Sequence, residues 1–158
     1  MTATRKQVRE AFAGLLAAEL VGDGKPLKAV YAYRVGDFNG QTPVAALGAG
    51  GTERTKLTTR GSRKAYLLDL FIFVLYALLD EEGHLVLDAA QQPVWDEQDA
   101  EDMLDLLEEQ VGALVGGLGS HRPYWQSVAY GAPTQPEVIT LGGLPYYLEI
   151  VPLRFEVY

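Results

Sequence analysis

The chain has 158 residues, 48% of them hydrophobic and 22% charged, enough apolar side chain for one folded domain with a sizeable core. Its 13 Lys+Arg against 21 Asp+Glu leave a formal charge of -8, which excludes a protein whose whole surface clamps nucleic acid but leaves room for a local basic patch. The absence of cysteine excludes disulfides, thiolate nucleophiles and thiolate metal sites. The N-terminal residues lack the apolar run of a signal peptide, and the greasiest stretch, Ala65 to Leu79, carries Asp69 and is short for a bilayer. A soluble protein made in a cytoplasm is the expectation.

In chain order, Thr4 to Val21 reads as an amphipathic helix, with Val8, Phe12, Leu15 and Leu16 on one stripe and Arg5, Lys6, Arg9 and Glu10 on the wet side. Gly22-Asp23-Gly24 and Pro26 stop it. Lys28 to Val35 alternates like a strand, and Pro43 to Leu47 reads as a short second one. From Gly48 to Lys64 glycine, threonine and basic residues dominate. This segment reads as an extended polar arm, flexible at Gly48-Ala49-Gly50-Gly51-Thr52, whose threonines could pair as a hairpin.

Lys64 to Leu79 reads as a central strand with two apolar faces: Leu67, Phe71, Phe73 and Leu75 on one, Tyr66, Leu68, Leu70, Ile72, Val74 and Tyr76 on the other. Asp96 is the expected N-cap of a second helix, with Asp99 three residues on. Its apolar stripe is Ala100, Met103, Leu104, Leu107, Val111, Leu114, Val115 and Leu118. Asp102, Asp105, Glu108 and Glu109 contribute to an acidic opposite side. Tyr124 to Tyr130 reads as a strand, Glu137 to Leu141 as a short one, and Tyr146 to Tyr158 as the last, with Pro152 marking an edge or a bulge. Strands thus come in blocks. The expected fold is a single α+β domain over 1–158, with a largely antiparallel or mixed sheet of about four to five strands. Two helices pack on one face and an arm over 48–64 joins the second and third strands. The second apolar face of the central strand then needs loops or another subunit to cover it.

No strong catalytic pattern stands out. His84 and His121 are the only histidines and lack ligand spacing, so surface positions are expected for them. Ser120 or Ser127 lacks a nucleophile elbow. The Gly48–Thr52 run leads to a strand rather than a helix and lacks Gly-Lys-Ser/Thr, so it is no P-loop. The tyrosines, with Trp95 and Trp125, fit a core, a pocket or an interface. Arg54, Lys56, Arg60, Arg63 and Lys64 concentrate positive charge in an acidic chain. They read equally as a solvated hairpin and as an arm that meets an acidic surface, either DNA phosphate or a protein neighbour.

The whole layout resembles the tail-terminator (tail-completion, neck) proteins of long-tailed phages. The likeness rests on the early helix, the strand Val30-Tyr31-Ala32-Tyr33, the Pro-Val-Ala strand, the Gly/Thr arm and the long apolar strand. It continues in the helix after Trp95 (Asp99-Ala100-Glu101-Asp102-Met103-Leu104-Asp105) and in the ending Leu148-Glu149-Ile150-Val151-Pro152-Leu153-Arg154-Phe155-Glu156-Val157-Tyr158. It is a likeness of order and texture along nearly the full chain, not of a diagnostic motif. It implies a non-enzymatic virion protein without cofactor, metal or membrane, assembled in the host cytoplasm. Such a protein forms a ring, typically a hexamer, that caps the tail tube and joins it to a head-completion protein, with DNA passing through the lumen. By the same analogy Arg54, Lys56, Arg60, Arg63 and Lys64 are contact residues, and Asp102, Asp105 and Glu109 are their complement on a neighbouring copy. An edge position for the last strand would add backbone pairing between subunits. Another connector or tail-tube subunit fits the same texture. From a different class, so does a small ligand-binding domain with an aromatic pocket; an enzyme using carboxylate acid/base chemistry fits least.

Overall fold

A computed structural model describes residues 2–56 and 62–157. It shows two helices and a mixed six-stranded sheet, one strand more than the upper expectation. Helix α1 spans Arg5–Leu20 and opens on a capping box in which Thr4 and Gln7 bond each other's backbone N–H. Its stripe, Val8, Phe12, Leu16 and Leu20, is buried. Strand β1 is only Ala29–Tyr31 and runs parallel to β2. The expected strand to Val35 stops early because the chain leaves the sheet there. The following loop lays Phe38 across the sheet's second face, against Phe73 and Tyr146.

Strands β2 (Val44–Lys56) and β3 (Ser62–Leu75) form one long antiparallel hairpin. The expected extended arm is, as far as Lys56, the hairpin its threonines allowed: Gly48 to Lys56 is strand, paired with Ser62 to Asp69 except at Gly50, and the rest of the arm, 57–61, lies outside the described residues. The glycines serve close packing. A Cβ on Gly48 would stand 2.8 Å from the Phe71 ring, and Gly51, at φ +127, completes a bulge after Ala49.

Helix α2 spans Glu97–Leu118 behind the Asp96–Asp99 capping box. Trp95 holds its approach to the sheet by donating its indole N–H to the Leu75 carbonyl. Strands β4 (Ser127–Tyr130), β5 (Glu137–Leu141) and β6 (Leu144–Val157) complete the sheet in the order β1-β2-β3-β6-β4, with β5 also on β6. The last strand is not an edge. It pairs with β3 on one side and with β4 and β5 on the other. Pro152 is tolerated inside it because its carbonyl, which accepts from the Gly131 N–H, points to the outer side, where β4 and β5 leave a gap. The missing N–H falls in that gap and not in the ladder with β3.

Both helices cover one face, over a core that includes Phe12, Leu68, Leu70, Ile72, Leu107, Trp125 and Phe155. The second face is covered by the chain itself. Phe38, Tyr31 and Val35, with Ile139 and Leu141 of β5, enclose Val44, Ala46, Phe71, Phe73, Leu75, Tyr146 and Leu148. Among the described residues no helix is long and apolar enough to cross a membrane.

Candidate subunit interface

Alternation along the hairpin sorts its charges onto two sides. Thr52 and Arg54 stand opposite Tyr66 and Lys64, and Tyr66 belongs to the helix-side core, so Arg54 and Lys64 face the helices. Glu53 and Arg63 face the other way. There Arg154 bridges Glu53, at 3.1 Å, and Glu156. That hydrogen bond from Arg154 lowers the Glu156 pKa, and the nearby Arg63 charge lowers it further. The five predicted cations are thus not one patch. Arg63 belongs to an internal ionic network on the second face. Arg60 and the side chain of Lys56 lie outside the described residues.

The helix side gains a residue that sequence spacing does not reveal. The Tyr66 hydroxyl donates to the Ala3 carbonyl (2.9 Å) and fixes the start of α1 beside the hairpin. Arg5 Nη1 then lies 3.4 Å from Thr52 Oγ1. Arg5, Thr52, Arg54 and Tyr66 line a polar cleft. Local rules disfavour every charge here. Arg54 and Lys64 are like charges directly opposite on paired strands, and Arg5 and Lys6 sit in the first turn of a helix with no acidic residue there, at the positive end of its dipole. Neither Arg54 nor Lys64 makes an ion pair among the described residues.

The acidic counterpart is α2. Asp102, Asp105 and Glu109 are exposed at i, i+3, i+7 spacing, and none makes an ion pair among the described residues. Their side of the helix projects a negative field onto the sheet. The Glu149 pKa is raised by burial and then by Glu108 and Asp105, and burial and Glu108 likewise raise that of Tyr130. The Tyr147 hydroxyl donates to Glu101 at 2.9 Å.

The other chemistries weighed from the sequence find less. His84 is exposed beside Glu82, as expected. His121 departs from expectation: it is half-buried, stacked on Tyr124 and tilted against Trp125. Among the described residues no group of three or more acidic or histidine side chains is placed to hold a metal. The tyrosines do not gather around a pocket. Tyr66 and Tyr146 lie in different cores, and Tyr33 and Tyr130 are exposed. A cleft of about 220 Å³ on the second face is lined by Arg34, Val35, Ala46, Phe73, Ile139 and Leu148, among others, with no tyrosine. Clefts of about 430, 330 and 350 Å³ elsewhere fall within the ~300–1,000 Å³ usual for small-molecule sites, but among the described residues each is lined by a single tyrosine, Tyr66, Tyr130 and Tyr124 respectively. The chain matches no protein-family model, and a search of curated proteins finds no similar sequence.

Proposed function

We propose that this chain is a structural virion subunit, a tail terminator. In this reading copies of it form a ring that caps the phage tail tube and joins it to the head. One observation supports self-association over chemistry. The helix side of the sheet carries a basic cluster (Arg5, Arg54, Lys64) and an acidic helix face (Asp102, Asp105, Glu109). Both break local charge rules, and among the described residues no ion pair joins them. Unfavourable charge held in two complementary patches is expected where a neighbour supplies the compensation. The order of elements adds the virion context through the tail-terminator likeness. The ring, its hexameric state, the tube and head partners and the location at the virion neck belong to this proposal.

The test is capping. Purified protein is incubated with phage tail tubes and viewed by negative-stain electron microscopy. Density at one tube end, lost with the R54E/K64E double variant, is the expected result. Bare tube ends, together with a monomeric protein at high concentration, would overturn the proposal.

A further inference from the structure

We infer that two open strand edges of this chain, β2 at Thr52 and β4 at Val128–Tyr130, pair with each other head-to-tail between copies, continuing the sheet from subunit to subunit. This rests on the self-association proposed above and names the seam.

The first observation is which edges are open. β1 pairs only with Val44–Ala46, so among the described residues β2 beyond Ala46 has no strand on its outer side. β4 is the terminal strand on the other side of the sheet. Among the described residues no backbone hydrogen bond outside the ladders reaches Leu47–Lys56 or Ser127–Tyr130.

The second is direction. In an antiparallel ladder a residue's N–H and C=O point to the same side and alternate along the strand. The Pro43 carbonyl accepts from Lys28 on the β1 side, and Ala45 pairs with β1. The Gly131 N–H meets the Pro152 carbonyl, which places the pairs of Ala129 and Ser127 inward and leaves Val128 and Tyr130 outward. Carried through Phe155, Tyr66 and Thr52, the same alternation turns the Thr52 and Arg54 backbone groups outward.

The third is level. Following the register across the sheet, Val128 aligns with Phe155, Phe155 with Tyr66, and Tyr66 with Thr52. The two open edges therefore lie at the same height. Successive strands alternate in direction from β2 through β3 and β6 to β4, so β4 of one copy meets β2 of the next antiparallel. Thr52 and Val128 face each other with outward groups, as a hydrogen-bonded pair requires. With the strands running along the ring axis, equal height leaves no rise from copy to copy, which a closed ring requires.

Charge agrees with this seam. α2 overlies β4 near Gly112, where an added Cβ would lie 3.7 Å from the Tyr130 hydroxyl. The last turn of α2 carries no basic residue, so its carbonyl end is negative without a basic side chain in that turn. Arg5, Arg54 and Lys64 of the incoming copy arrive on that same side. Of the three predicted carboxylates, Glu109 lies closest to this end in sequence. Asp105 and Asp102 continue the same exposed acidic face toward the helix start.

The experiment uses proline at outward positions, which removes an edge donor while sparing each strand's inner ladder. T52P and Y130P are each compared with the unmodified chain by sedimentation velocity, and circular dichroism and thermal melts confirm folding. Each variant alone is expected to be monomeric. Mixed together they are expected to form a heterodimer, because one keeps the β4 edge and the other the β2 edge. Should either proline variant unfold, T52 and Y130 N-methyl amides made by semisynthesis replace it. Normal assembly of Y130P would overturn the seam, as a β2-to-β2 contact would give, and so would monomers in the mixture. In both cases an assembling unmodified chain leaves the ring reading standing. A monomeric unmodified chain that also fails to cap tubes would overturn both.

Discussion

Near Val44 and Phe73 the β2–β3 hairpin is buried on both faces, whereas beyond Gly51 and Leu67 the same ladder carries charge on both. The inner half sits between the helices and the loop bearing Phe38. Among the described residues the outer half holds an ion network on one side and cations without an ion-pair partner on the other, with no strand on its outer edge. Between the halves stands the bulge at Ala49–Gly51. One continuous pairing can thus be core at one end and contact surface at the other, and the two ends should answer differently to substitution.

The largest effect is expected in the inner half. Phe73, packed against Phe38, Phe71 and Tyr146, should cost about 3–5 kcal/mol when changed to Ala, read by urea unfolding. A loss under ~1 kcal/mol would mean that the loop-covered face is not part of the core. At the junction, Gly48→Val should cost about 1–3 kcal/mol, because the new side chain meets the Phe71 ring and the Arg34 stem. An unchanged midpoint there would show that the bulge absorbs the clash.

In the outer half the pattern should invert. R54E/K64E should leave stability within ~0.5 kcal/mol of the unmodified chain and weaken self-association at least about tenfold. A variant that lost stability but kept association would reverse the assignment of the two halves.

How far the sequence announces this division depends on the element. The capping residues Thr4 and Asp96, the two apolar faces of β3 and the helix stripes are written in local pattern, and local pattern suffices for them. The inner position of β6 is not, because Pro152 signals an edge and only the gap between two distant strands excuses it. The strand at Gly48–Gly51 is hidden too. Glycine reads as loop, and its reason here, room for the Phe71 ring, is a contact across the ladder. In the interface, the cations of the hairpin are visible as composition, but their sorting onto two faces needs the register. Arg5 joins them through the Tyr66–Ala3 bond, which no spacing encodes.

The smallest expected effect concerns the far side of α2. Burial, with Glu108 and Asp105, raises the Glu149 pKa in the folded chain above its ordinary value. The folded state therefore binds the proton more tightly. Glu149 costs nothing below its ordinary pKa, and stability falls as pH rises from there through the raised value. Glu149→Gln should flatten that fall and leave the chain slightly more stable at neutral pH. Glu156 works oppositely: its lowered pKa contributes stability above its ordinary value, lost as pH falls through the folded one. Urea midpoints across the carboxylate range separate the two, and a steeper slope in Glu149→Gln would contradict the sign.

Sedimentation velocity of the unmodified chain over a concentration series, at low and high salt, tests self-association most directly. The expected result is a species several times the 17.3 kDa monomer that grows with concentration and dissolves as salt screens the patches. A folded 17.3 kDa monomer at every concentration and at both salts would contradict it.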